Sequence, residues 1–106
     1  MANLYYKLHQ IGSDVILAVA DESALGKKYE GNGRILDLQT FRSFYEGELA
    51  NEQKINELFS ECTSANLVGQ NACNIAIENN IAKEEHIVDI GGISHIQIYK
   101  VDGNKK

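Results

Sequence analysis

Gly91-Gly92-Ile93-Ser94-His95 is the stretch of this chain best equipped for chemistry. Two consecutive glycines let backbone N–H groups converge on a small anion. A hydroxyl and an imidazole follow directly. His9, His86 and His95 are the only side chains whose ordinary pKa lies near neutrality. His9 and His95 fall on the polar faces of predicted strands, so the two rings would meet if those strands were neighbours. His86 sits in a charged turn and reads as solvated. Against an anion site, no helix is predicted to begin after the glycines, so the dipole support of a phosphate loop is missing. Neither G-x-G-x-x-G nor G-x-x-x-x-G-K-[ST] occurs. A tight turn between two strands is the simpler role for the doublet.

Two other groups of residues invite the same weighing. Cys62 and Cys73 stand alone, without a C-x-x-C pair, inside segments that read as helices. Buried small apolar side chains are the simplest account of both. Neither a metal site nor a disulfide is predicted, and the cysteine usage suits the cytoplasm. Phe41-Arg42-Ser43-Phe44-Tyr45 places aromatics around an arginine, a composition that stacks on unpaired bases. The same composition anchors a long loop onto a core, and that role is favoured here.

Composition narrows the partners. The chain has 106 residues, a size suited to one domain. The formal net charge is −5. Acids cluster at Glu46, Glu48, Glu52, Glu57 and Glu61, while the bases are scattered. Duplex nucleic acid calls for a basic face that displaces counterions from phosphates, so direct duplex binding is not predicted. A basic protein or a ribonucleoprotein is the better-matched partner. The longest apolar run, Val15–Ala20, is far short of the ~20 residues of a membrane-spanning helix. The opening MANLYYKLHQ lacks the basic-then-apolar order of a secretory leader.

The elements that must hold these residues follow from periodicity. Asn3–Gln10 alternates with period two, a strand with one buried face. Val15–Ala20 is continuously apolar, a strand covered on both faces. Asp21 is placed to cap a short turn that Gly26 ends. Gly31-Asn32-Gly33 suits a tight turn, followed by a strand over Arg34–Leu38. Thr40–Leu49 has no clean period and reads as a loop or distorted edge. Asn51–Ala65 carries an apolar stripe at Ile55, Leu58, Phe59 and Cys62, the spacing of an amphipathic helix, with Asn51 as its cap. Leu67–Asn79 is apolar around most of its girth and reads as a second, buried helix. Asn66 either ends the first helix or caps the second. Ile87–Ile90 and His95–Val101 are strands across the glycine turn. The result is an α+β fold. A mixed, mainly antiparallel sheet of about five strands carries a two-helix unit packed on one face. Residues 1–101 form one globular domain, and 102–106, without apolar content, a disordered tail.

Several of these pieces together resemble a known family. They are Phe44-Tyr45-Glu46-Gly47-Glu48, Ser64-Ala65-Asn66-Leu67-Val68-Gly69, the apolar helix with Ala76, and Ile90-Gly91-Gly92-Ile93-Ser94-His95-Ile96-Gln97-Ile98. The opening strand pair and Leu25-Gly26-Lys27-Lys28 fit as well. The chain resembles an archaeal family of small uncharacterised conserved proteins, the domain of unknown function numbered 424. Where the family places proline before the histidine, this chain has Ser94. The resemblance implies a cytoplasmic protein of about this length, no established activity and no cofactor, with an association to translation genes. The leading expectation is a non-enzymatic binding module, attached to the translation or RNA apparatus through a basic partner. Its surface would combine Phe44, Tyr45, Glu46, Asn66, Gly69, Gly91, Gly92 and His95. The rival is a small enzyme or anion-binding protein, with His95 as acid and base beside the Gly91-Gly92 amides.

Overall fold

The structure, a computed structural model, describes residues 3–99. Its centre is β2 (Asp14–Asp21), the continuously apolar strand. Leu17 and Val19 point into one core and Ala18 and Ala20 into another, all fully buried. Burial on both faces is what such a run requires. β1 (Leu4–Ile11) pairs antiparallel with β2 through a Gly12-Ser13 turn. β5 (Glu48–Ala50) adds to the first three residues of β1. On the other side of β2 lies β6 (Ser64–Val68), parallel to it, then β8 (Ile93–Ile98) and β7 (Val88–Ile90), both antiparallel. The sheet order is β5-β1-β2-β6-β8-β7. The expected α+β class with a mixed, mainly antiparallel sheet therefore stands, with six strands in the sheet.

The connection from β2 to β6, together with the helix that follows β6, covers both faces of the sheet. One face receives α2 (Glu52–Leu58) and then α3 (Gln70–Glu78). Their apolar side chains, Ile55, Leu58, Ala72, Cys73, Ile75 and Ala76, join Phe59 over Leu4, Leu17, Leu67 and Ile96. The other face receives a separate two-stranded sheet, β3 (Lys28–Gly31) with β4 (Arg34–Asp37), and the single-turn helix α1 (Arg42–Tyr45). Leu25, Leu38 and Tyr45 seal this smaller core against Ala18, Ala20 and Val68. The strand expected at Arg34–Leu38 is β4, set in this hairpin rather than in the main sheet. The loop expected over Thr40–Leu49 contains α1 and most of the edge strand β5.

Three sequence expectations need correction. The helix read over Asn51–Ala65 stops at Leu58, although Asn51 does cap it, its Oδ1 accepting the Lys54 N–H at 2.9 Å. Phe59 and Cys62 keep the buried stripe from a following turn, and Ser64–Val68 is strand. The helix read from Leu67 begins at Gln70, and Asn66 lies inside β6, capping neither helix. The cause is tertiary: Ala65 and Leu67 fill one core while Val68 fills the other, which only an extended segment between β2 and β8 can do. Third, Asp21 does not cap the turn that follows it. Its carboxylate crosses to the start of α3, accepting the backbone N–H groups of Asn71 at 3.1 Å and Ala72 at 2.9 Å. The predicted strand end at 100–101 and the tail 102–106 lie outside the described residues.

Candidate functional site

The hairpin side of the sheet carries a cleft of about 420 Å³ between β4 and α1. Ile35, Leu36, Asp37 and Leu38 form one wall, and Phe41, Phe44 and Tyr45 the other, with Lys28 at one end. Leu38 and Tyr45 are buried and form the floor. Desolvation pushes the Tyr45 hydroxyl up to about 12, so it stays protonated. Ile35 and Phe41 are 65% and 61% exposed.

Local chemistry fixes both walls. The β3–β4 turn has Asn32 at φ 52° and Gly33 at φ 72°, the two positive values of a tight two-residue hairpin. Asp37 Oδ1 accepts the backbone N–H groups of Thr40 at 2.9 Å and Gln39 at 3.1 Å, which rigidifies the turn into α1. The hydrogen bonds with Thr40, foremost, hold the Asp37 carboxyl below the usual carboxylate range, so it stays ionised. Arg42 Nε donates to Glu46 Oε1 at 2.6 Å across one helical turn. That hydrogen bond pushes the guanidinium up and the Glu46 carboxyl down. Arg42 is thus committed to Glu46 and is not free to stack on a base. α1 is also pinned from β1: His9 Nε2 donates to the Phe44 carbonyl at 2.8 Å, and the rings stack with centroids 4.2 Å apart.

The predicted site residues divide into separate places. Phe44 and Tyr45 line the cleft, and Glu46 stands beside it in the ion pair with Arg42. Asn66 and His95 meet on the same face of the sheet, His95 Nε2 lying 3.3 Å from Asn66 Oδ1. The His95 ring is buried, not presented outward. Desolvation, then the nearby Arg34 charge, lowers its pKa and favours the neutral ring. Strand alternation sends Ser94 to the opposite face. His9 is not a partner either. It sits three strands and four residues away by register, on the order of 20 Å.

The glycines are committed to the fold. A side chain at Gly91 would strike the Glu30 backbone, and one at Gly31 would come within 2.6 Å of the Gly91 nitrogen. The hairpin tip therefore rests directly on the doublet. Asn32 Nδ2 reinforces that contact by donating to the Asp89 carbonyl at 2.6 Å. The Gly92 N–H donates to Asp89 Oδ1 at 2.7 Å, so this amide already has its acceptor. Gly69, at φ 106°, starts α3 and leaves no room for a Cβ against the Asp21 carboxylate. The start of α3 is thus filled by the chain's own Asp21, which is 6% exposed. Sequence reasoning missed Asp21 in this role. It also missed Lys28, Ile35, Leu36, Asp37 and Leu38 as a cleft wall, although an apolar residue on the outer side of a short hairpin was a usable signal.

Nucleophile and metal chemistry find no support in this geometry. Burial pushes the Cys62 thiol up to about 11 and the Cys73 thiol to about 12, the reverse of activation. Among the described residues, no three His, Cys, Asp or Glu side chains come together as metal ligands. Nor is any helix among them long and apolar enough to cross a membrane.

No curated protein matches the chain. An uncharacterised conserved protein from the archaeon Methanopyrus kandleri has a similar solved structure, 29% identical, with a TM-score of 0.78 over 94% of this chain and 93% of that one. The family described as "Protein of unknown function (DUF424)" matches residues 9–101. That span takes in the cleft, the Asn66–Gly69 junction and the glycine doublet, and the chain belongs to the DUF424 family.

Proposed function

We propose that the chain is a non-enzymatic binding module of the cytoplasm whose contact surface is the cleft between β4 and α1. One observation carries the reading: Ile35 and Phe41 hold about 60% or more of their surface open on either side of a cleft with a sealed apolar floor. Apolar side chains held apart in this way suit a partner's apolar side chain better than a polar metabolite. The partner is a protein of basic character, in keeping with the net charge of −5, and the translation or RNA apparatus is the setting we favour. Phe44, Tyr45 and Glu46 belong to this surface. Gly91 holds the tip of the hairpin that carries β4, whereas Asn66, Gly69, Gly92 and His95 lie outside the cleft lining.

The test compares parent and an Ile35→Asp/Phe41→Asp double variant as baits in native cell extract. Circular dichroism must show both folded. A protein retained by the parent and lost by the variant supports the reading. Equal retention by both, or nothing retained above a control bait, counts against it.

A further inference from the structure

The backbone beside the cleft has directional hydrogen-bonding capacity left over. In an antiparallel pair, opposed residues alternate between exchanging both hydrogen bonds and exchanging none. A two-residue turn closes on an exchanging pair, here Gly31 with Arg34. The next pair, Glu30–Ile35, exchanges none; Tyr29–Leu36 exchanges both; Lys28–Asp37 exchanges none. The N–H and C=O of Ile35 and Asp37 therefore point away from β3. The Asp37 carbonyl confirms the direction by accepting the Phe41 N–H, on the α1 side, at 3.3 Å. Among the described residues, β4 has no strand beside it other than β3. The Ile35 N–H, the Ile35 carbonyl and the Asp37 N–H consequently form a row along one side of the cleft with no partner among the described residues. Four successive residues, Ile35 to Leu38, line that cleft. Consecutive strand residues point alternately to opposite faces, so a cleft touching all four runs along the strand's edge.

We propose that the outer edge of β4 takes an extended, basic segment of a partner protein as a third strand, with the segment's alternate apolar side chains seated in the cleft against Phe41, Phe44 and Tyr45. The inference rests on the binding-module reading and names the chemistry of the occupant. Main-chain bonds to the edge supply affinity in this mode, and alternate side-chain pockets supply selectivity. Four residues of β4 span about 13 Å, matching a segment of about four residues. Charge selects the sequence. Arg42 is paired with Glu46, and Lys28, directly across the hairpin from Asp37, lies 3.7 Å from Glu30. No cation comes within salt-bridge distance of Asp37 among the described residues, although, after the Thr40 hydrogen bonds, the Lys28 charge helps hold its carboxyl ionised. An ionised carboxylate at the end of an apolar cleft favours lysine or arginine at the matching end of the segment.

The probe is a random heptapeptide library displayed on phage and selected against the full chain. Enriched peptides are expected to alternate apolar with other residues and to end in lysine or arginine. With one such peptide bound, the Ile35 and Asp37 amide protons should exchange at least about tenfold more slowly, the signature of a formed ladder bond. Methylating alternate peptide nitrogens, which leaves the protein untouched, should weaken binding by about tenfold. Asp37→Asn should weaken a basic-ended peptide by about two- to fivefold and leave a neutral-ended analogue unchanged. Peptides that perturb Phe41 and Phe44 while amide exchange and nitrogen methylation have no effect would overturn strand addition but keep the cleft as a binding surface. A library that yields nothing above background also overturns the proposal. Neither result touches partner retention by the double variant, on which the broader reading stands.

Discussion

The two faces of the sheet solve the same covering problem with different materials. On the helical face, large side chains interlock: Phe59, Leu17, Ile55, Leu67, Ile75 and Ile96 are all at most 2% exposed. On the hairpin face, β2 contributes Ala18 and Ala20 to the buried core, and the cover is a four-residue-per-strand hairpin and one helical turn. The hairpin face keeps the half-buried His95–Asn66 pair, the open strand edge and the cleft. A close-packed apolar layer offers a partner nothing to recognise. A thin cover over small residues leaves polar backbone and apolar side chains within reach of one. In the proposed reading, the helical face holds the fold together and the hairpin face carries the contact surface.

The contrast can be broken most forcefully from the helical side. Phe59→Ala is expected to cost about 3–5 kcal/mol in denaturant unfolding, with no peptide- or partner-specific effect in whatever fraction stays folded. A cost under ~1 kcal/mol would mean this core is not the stabilising one. Next comes the link between strand and helix. Asp21→Ala strands the Asn71 and Ala72 amides in a buried site and should cost about 2–3 kcal/mol, read as a shift of the unfolding midpoint.

On the hairpin side the expected effects are smaller and of a different kind. The His95 pKa lies below its ordinary 6.5 in the folded chain, so the unfolded chain binds the proton first. Stability is then full above pH ~6.5 and falls as the pH drops below that value. Unfolding midpoints between pH 7.5 and 5 should show this slope, and His95→Gln should remove the part owed to this ring. Smallest in stability is Ile35→Asp, expected to shift unfolding by no more than about 0.5 kcal/mol while abolishing capture by the cleft. A large loss of stability would make Ile35 a structural residue and blunt the comparison.

The sequence made the helical face readable and left the hairpin face obscure, for physical reasons. The stripe Ile55, Leu58, Phe59, Cys62 announces a buried face whether the backbone stays helical or turns. The run Val15–Ala20 likewise announces a central strand. Ser64–Val68 was misread because Ala65 and Leu67, followed directly by the apolar α3, continue an apolar pattern. Only the slot between β2 and β8 makes them extended. Phe44 and Tyr45 are legible as packing residues because aromatics in a loop without period must pack somewhere. Ile35 and Asp37 are not legible, because what matters at those positions is the direction of backbone N–H groups, which depends on register. Asp21 was assigned to the wrong helix since its true partners, Asn71 and Ala72, are brought near only by the parallel pairing of β2 with β6.

Hydrogen exchange of the chain alone and with a retained partner bound tests the central claim most directly. The account predicts new protection confined to residues 34–46, with amides of α2 and α3 unchanged. New protection over α2 and α3, with residues 34–46 exchanging as before, would contradict it.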